Sequence, residues 1–364
     1  MSTTATTARP QPESRLNAVS SRFSDAIFIL QASRPGLWST QVWFFLLPLG
    51  QRNVFHSTAF WLGVFYCTFP LGLLLYGWND CVDFEIDRIN PRKGTFLFGA
   101  RGTLDQLHRL PLAMALVQAP FVLAFLYLVG PKVLLFFAGS IAIGGMLYNW
   151  PRYGWKGRPP LELLNQSGYL LVFALSSWLN RAPQLPWQAM LFSTLFAMHS
   201  HLFGEIMDIE PDRASGRRTT ATVIGRIWTK LLIAALLAAE CGLVFVFFHD
   251  MILSGFLLAS GLWFLLDAAF VWRERPYTPR QMKYALLAWN VIALASMPWV
   301  WWRASLTVLH CRRAFSIQPK RQHSAVLREK SFLRPIALQG LKPNHSERLT
   351  AGVNLSSGNL AHPE

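Results

Sequence analysis

Long apolar stretches separated by short polar loops dominate the chain between residues 34 and 302. The clearest run from Ser57 to Trp78, Pro111 to Gly130, Val133 to Trp150, Met251 to Trp272 and Tyr284 to Trp302, each with at most one charge. An α-helix rises ~1.5 Å per residue, so ~20 such residues cross the hydrocarbon core of a bilayer. Leu163 to Leu179, Trp187 to Phe203 and Leu231 to Phe248 carry more polar groups but follow the same pattern, and Leu37 to Gly50 is a shorter first span containing Pro48. The pattern predicts an all-α integral membrane protein of about nine transmembrane helices, spanning the domain 34–302.

Two polar segments flank that domain. Residues 1–33 are Ser/Thr/Arg-rich and read as an N-terminal cytoplasmic segment without the apolar centre of a secretory signal, an organelle transit peptide being the alternative. Residues 303–364 form a basic tail, with ten basic residues against three acidic ones and no periodicity, expected to be disordered or surface-bound. Composition agrees with the pattern: 52% of the 364 residues are hydrophobic and only 15% charged. The four cysteines, Cys67, Cys81, Cys241 and Cys311, form no CxxC pair and suggest neither a disulfide framework nor a zinc site.

A net charge of +15 would point to nucleic acid in a soluble protein, but here the basic residues sort by loop. The loops after the second, fourth, sixth and eighth spans carry 5, 3, 5 and 4 Lys or Arg, whereas the opposite loops carry only Arg52, Lys132 and Arg181. By the positive-inside rule the basic loops and the N-terminus face the cytoplasm, in a bacterial inner membrane or an organelle membrane, and nucleic acid is not needed. With nine spans the tail falls on the opposite side, which fits the rule poorly, although long tails cross regardless of charge.

Eight of the nineteen carboxylates fall in two short segments, NDCVDFEID from Asn79 to Asp87 and EIMDIEPD from Glu205 to Asp212. They follow the second and sixth spans, equivalent positions in two four-helix halves about 125 residues apart, so the chain reads as a tandem repeat plus one span. Asn79, Asp83 and Asp87 recur every four residues with Asp80 beside them, and Asp208 and Asp212 share the spacing; in a helix each set shares one face. Like charges at that spacing repel, so a cation is expected among them. Carboxylate and amide oxygens without thiolate or imidazole suit a hard divalent ion such as Mg²⁺, which binds through one or two carboxylates, waters and substrate phosphates. Two clusters facing one another would hold such ions around a diphosphate. Arg34 in SRPG, Lys93 in NPRKG, and Arg152, Lys156 and Arg158 in YNWPRYGWKGRP lie near the same span ends and could neutralise the departing anion. An ordinary membrane-flanking role is the alternative for each.

These residues resemble the signatures NDxxDxxxD and DxxxD of the UbiA superfamily of intramembrane prenyltransferases. Asn79, Asp80, Asp83 and Asp87 match the first without a gap, Asp208 and Asp212 match the second, and GRRTTATVIG from Gly216 to Gly225 follows as in the family. The resemblance covers roughly Arg34 to Trp302 and looks closest to the branch that extends carotenoids such as lycopene, chlorophyll synthase-like members being more distant. It implies helices around a central cavity under a cytoplasmic cap, and Mg-dependent transfer from a prenyl diphosphate to a lipophilic acceptor such as a carotenoid or quinone-precursor ring. It further implies Asn79, Asp83, Asp87, Asp208 and Asp212 as metal ligands. The catalytic set so implied is Asp83, Asp87, Asp208, Asp212 and Tyr148, while Asn79, Asp80, Lys156, Arg158, Arg34, Lys93 and Arg152 would bind the diphosphate. The chain departs from the family in NPRKGTFLFGARG, which puts contacts around Lys93 and Arg101 in doubt, and at Pro211, which could kink the second motif.

In this chemistry the allylic C–O bond ionises and an electron-rich acceptor carbon captures the cation, with no protein nucleophile and no obligate protein partner inferred. A membrane terpene cyclase using the same diphosphate site, or a cation-coupled transporter, are the rival readings; transporters hold their acids nearer the bilayer midplane. His199, His201, Glu240 and Asp267 are ionisable groups inside expected spans. For the histidines hydrogen bonding between helices is preferred, with His201, nearer the second motif, the better acceptor-side candidate. No partner for Glu240 or Asp267 is evident.

Overall fold

The structure, a computed structural model, describes residues 23–307; Cys311 and the expectations placed on residues 1–22 and 308–364 lie outside them. Residues 23–32 form helix α1. It is followed by α2 (Trp38–Leu46), α3 (Thr58–Tyr66), α4 (Phe69–Val82) and α5 (Phe84–Ile89). Then come α6 (Leu104–Val129), α7 (Val133–Ser140), α8 (Leu161–Leu164), α9 (Leu171–Asn180) and α10 (Trp187–Ala214). The series closes with α11 (Thr220–Ile224), α12 (Arg226–Leu243), α13 (Met251–Ala269) and α14 (Pro279–Arg303). No β-strand occurs among the described residues, apart from an isolated bridge between Thr95 and Gly99.

Among the described residues five stretches are long and apolar enough to cross a membrane: Thr58–Val82, Leu104–Val129, Arg226–Phe248, Met251–Ala269 and Pro279–Arg303. The other four expected spans are helical too: three are short or broken, and the fourth lies in a long helix that ends in acidic residues. Around Pro48 the first span becomes a 3₁₀ turn, Leu47–Leu49. Beyond α7 the chain widens into a π-helix, Ile141–Leu147, across Gly144 and Gly145. Asn165–Leu170, between α8 and α9, is 3₁₀. α10 is long enough, but its C-terminal third carries the second acidic segment.

Helix boundaries follow local chemistry. Thr103 and Gln106 make a reciprocal capping box at the start of α6, Thr278 and Gln281 another at α14, and Asp250 accepts from Ile252 and Leu253 to start α13. Burial is organised around aromatic packing: Phe44, Phe45, Tyr66, Phe125, Phe136 and Phe173 are fully enclosed, whereas Leu116, Leu123, Leu135, Leu262 and Leu294 point outward. An apolar exterior over a packed interior is what lipid as solvent requires. The last long helix returns to the first: Ser39 donates to Asn290 at 2.6 Å, Trp289 to Thr40 at 3.0 Å, and Asn290 to the carbonyl of Gly36 at 2.8 Å.

Two points revise the sequence reading of the polar groups. Residues 23–32 were taken with the polar leader, yet α1 buries Phe28 and Ala32 against Leu73, Leu107 and Leu110, and its Asp25 accepts from Gln106 at 3.0 Å. Glu240 and Asp267 do have partners. His199 on α10 meets Glu240 on α12 at 2.6 Å, and Lys230 meets Asp267 at 2.8 Å in a pair wholly shielded from solvent. A buried charge left unpaired costs several kcal/mol, so both pairs fasten α12 to its neighbours.

Candidate active site

The first acidic segment is not one helix. α4 ends at Asp83, whose backbone (φ −93°, ψ 11°) leaves the helical region before α5 begins. The amides of Asp83 and Asp87 still reach back to Asn79 and Asp83, so the turn closes without a gap. Asp80, Asp83 and Asp87 are all buried. Carboxylates taken out of water must be paired, and these are. Asp80 meets Arg34 at 3.1 Å and Lys93 at 2.8 Å, and Lys93 also meets Asp87 at 2.8 Å. Lys156 is hydrogen-bonded to Asp83 and to the side-chain oxygen of Asn79, and lies 3.4 Å from that of Asn149.

Arg34 reaches inward because its own backbone is left-handed (φ 49°) at the entry to the turn Pro35–Leu37, and its guanidinium lies 4.6 Å above the Tyr76 ring. Gly99 makes room for this grouping. At φ +104° it is strained for other residues, and a Cβ there would meet Arg34 Nε at 3.0 Å and Lys93 Nζ at 3.4 Å.

The second segment lies on α10, which continues through Pro211 and carries both aspartates. Asp208 is paired with Arg92 and accepts from Asn90 at 2.9 Å. Asp212 is buried and lies 3.7 Å from Arg217 Nη1. The other terminal nitrogen of Arg217, Nη2, is 2.5 Å from Asp83. One guanidinium thus touches both acidic segments. The loop carrying it is fixed by two buried carboxylates: Thr220 donates to Glu162 through its amide (2.7 Å) and hydroxyl (2.5 Å), and the amide of Ala221 donates to Glu205 at 3.0 Å.

Of the residues expected to contribute, the structure brings together Asn79, Asp80, Asp83, Asp87, Asp208, Asp212, Arg34, Lys93 and Lys156. Tyr148 is adjacent, its ring 5.5 Å from Lys156 Nζ. Arg152 and Arg158 are exposed and meet no acid of either segment; Arg158 donates to the Arg152 carbonyl at 2.7 Å, so the basic loop turns only Lys156 inward. Arg92, Arg217, Asn90 and Asn149 belong to the grouping and were not foreseen. Arg217 had a signal, since it lies in GRRTTATVIG directly after the second acidic segment.

Charge in the grouping is uneven. Burial pushes the Asp83 carboxyl up, but Lys156 and Arg217 more than offset it and hold it well below the usual carboxylate range. Burial raises Asp87 to about 6, Lys93 opposing and Asp80 and Asp83 adding to the rise. Burial and neighbouring Asp208 raise Asp212 to about 7. Burial lowers Lys156 to about 8 although Asp83 opposes it. In Arg34 and Arg217, by contrast, the carboxylates overcome burial and raise the guanidinium.

The donor set suits a hard cation: every acidic partner offers oxygen, and Oδ2 of Asp80 is buried without a hydrogen-bond partner. Among the described residues no three acidic, His or Cys side chains already converge as a metal cage. Basic side chains lie between them instead.

Comparison with known proteins decides the family. The profile of the UbiA prenyltransferase family matches residues 37–292. The chain belongs to that family. Among UbiA relatives it is 28% identical over 207 residues to a lycopene elongase/hydratase of Corynebacterium glutamicum, covering 54% of this chain and 69% of the relative. It is 30% identical over 209 residues to a lycopene elongase/hydratase of Haloarcula japonica, covering 54% and 67%. The structure of a UbiA homolog from Archaeoglobus fulgidus bound to DMAPP and Mg²⁺ superposes with a TM-score of 0.55 at 16% identity, over 75% of this chain and 99% of that one. The fold is therefore that of the UbiA membrane enzymes, and the resemblance read from the two motifs, with its lycopene-extending branch, is borne out.

Proposed function

We propose that this UbiA prenyltransferase transfers a prenyl group from a prenyl diphosphate to a carotenoid end group, releasing diphosphate on the cytoplasmic side. The observation that carries the reading is Arg217, which contacts Asp83 at 2.5 Å and Asp212 at 3.7 Å, so a ligand of diphosphate size can be gripped from both acidic segments. The carotenoid assignment rests on the relatives, and the sidedness on the uneven distribution of Lys and Arg between loops.

Asn79, Asp83, Asp87, Asp208 and Asp212 would hold Mg²⁺, which when bound supplies positive charge that makes diphosphate a better leaving group. The remaining work falls to the chain's own side chains. Arg34, Arg92, Lys93, Lys156 and Arg217 supply N–H donors to phosphate oxygens that gain charge as the allylic C–O bond breaks. Arg152 and Arg158 have no part in this. Tyr148 offers a ring face to the allylic cation, worth ~0.5–2 kcal/mol as a cation–π contact. Both hydrocarbon substrates stay in the bilayer, and the apolar helix walls keep water from the cation.

Membranes containing the full chain, supplied with dimethylallyl diphosphate, Mg²⁺ and lycopene, should yield lycopene heavier by a prenyl unit, read by mass spectrometry. A cyclic hydrocarbon formed equally well without lycopene would contradict transfer and favour cyclisation.

A further inference from the structure

Resting on that reading, we infer that His201, which lies beside the buried Glu205, is the base that accepts the proton ending the reaction. Alkylation of an alkene cannot stop at carbon–carbon bond formation. The allylic C–O bond breaks with its electron pair passing to diphosphate, and the acceptor's π pair forms the new C–C bond, leaving a tertiary cation on the acceptor. That cation ends either by capture of water, giving an alcohol, or by breaking of an adjacent C–H bond, giving an alkene. In the second case the C–H electron pair becomes the new double bond, and the proton needs an acceptor within the membrane-facing part of the site.

Two histidines lie on α10, and their surroundings separate them. His199 is sealed between helices: its Nδ1 is 2.6 Å from Glu240, the two side chains are 8% and 0% exposed, and its ring abuts Phe196. His201, two residues on and ~200° around the helix, faces elsewhere. Its side chain is 23% exposed, its Nε2 lies 3.2 Å from Glu205 Oε1, and its ring meets Tyr148 edge-on at 6.2 Å between centroids. Tyr148 in turn lies under Lys156, which is bonded to Asp83. The imidazole is therefore one aromatic ring removed from the diphosphate grouping. Its Nε2 faces Glu205 Oε1 without making a hydrogen bond, and its Nδ1 makes none within the described residues.

Glu205 is equipped for the supporting role. It is buried, and its other oxygen accepts from the Ala221 amide at 3.0 Å, so the carboxylate is fixed before His201 leans on it. A fixed carboxylate 3.2 Å from the ring stabilises an imidazolium once the proton arrives. Glu205 is thus a positioning residue, and it also ties the proton acceptor to the loop that carries Arg217.

The test uses the full chain in membranes with dimethylallyl diphosphate, Mg²⁺ and lycopene, measuring diphosphate released and each carotenoid product. The wild type should give a single alkene isomer. In His201→Gln the ratio of that alkene to diphosphate released should fall by about 10²-fold, the smaller end of what general bases supply, with alcohol and other double-bond isomers making up the difference. Glu205→Gln should shift the ratio the same way by less. Should His201→Gln not accumulate, His201→Ala with added imidazole replaces it, and return of the single alkene supports the assignment. An unchanged ratio in His201→Gln, or no rescue of His201→Ala, overturns the base assignment while leaving transfer intact. A wild type that forms no alkylated lycopene overturns transfer itself.

Discussion

The two acidic segments hold the same chemistry in different degrees of enclosure. Asp80, Asp83 and Asp87 are buried and share Arg34, Lys93, Lys156 and Arg217. Asp208 has 27% of its side chain exposed and leans on Arg92 and Asn90, and among the described residues the Asp212 carboxylate reaches only Arg217. The difference teaches that the halves of a pseudo-repeat need not contribute equally. The first segment is preset by buried, shared ion pairs, whereas the second is positioned by one helix with one arginine on each aspartate.

The comparison breaks most visibly at Asp83. Asp83→Asn should lower dimethylallyl transfer by ~10³-fold or more, because it leaves Lys156 and Arg217 without their shared buried partner. Asp208→Asn, in the more open segment, should cost ~10- to 10²-fold. Equal losses would remove the asymmetry. Arg217→Ala should fall between, at ~10²-fold, and Arg217→Lys should recover only part, since a point ammonium cannot touch both aspartates as the planar fork does.

Why some of this was legible in the sequence and some was not has physical causes. Carboxylates are rare near lipid, so their clustering at Asn79 to Asp87 and Glu205 to Asp212 stands out, and the four-residue spacing locates them on a helix face. Arg34, Lys93 and Lys156 were found by nearness to those segments. Arg217 was not, because an arginine in a cytoplasmic loop looks like any topology-setting charge until the fold folds it back. Arg158 is the converse: two residues from Lys156, it faces outward. Apolar length predicted where the chain is helical, but not the break at Asp83 or the π and 3₁₀ segments, which depend on packing between helices. α1 was hidden because only Phe28 and Ala32 of its residues are fully buried.

Acidity sharpens the contrast further. With Asp87 near 6 and Asp212 near 7, each carboxyl holds a proton below its own value, and a bound cation must displace it. Mg²⁺ affinity, measured by calorimetry, should therefore rise with pH up to about 7 and level off above, most steeply below about 6 where both protons must leave, by up to ~tenfold per pH unit for each proton displaced. In Asp212→Asn the upper part of that rise should vanish, the lower part remaining with Asp87. The smallest effect belongs to the exposed loop: Arg158→Ala should change turnover less than ~threefold, as expected for a surface charge without an acidic partner.

The central claim is that Asp83 and Asp212, one from each half, serve a single ligand. A double-mutant cycle of Asp83→Asn and Asp212→Asn, read as dimethylallyl transfer to lycopene, tests it most directly. The account predicts strong non-additivity, the double variant losing little beyond the worse single variant. Losses that multiply, as for independent sites, would contradict it.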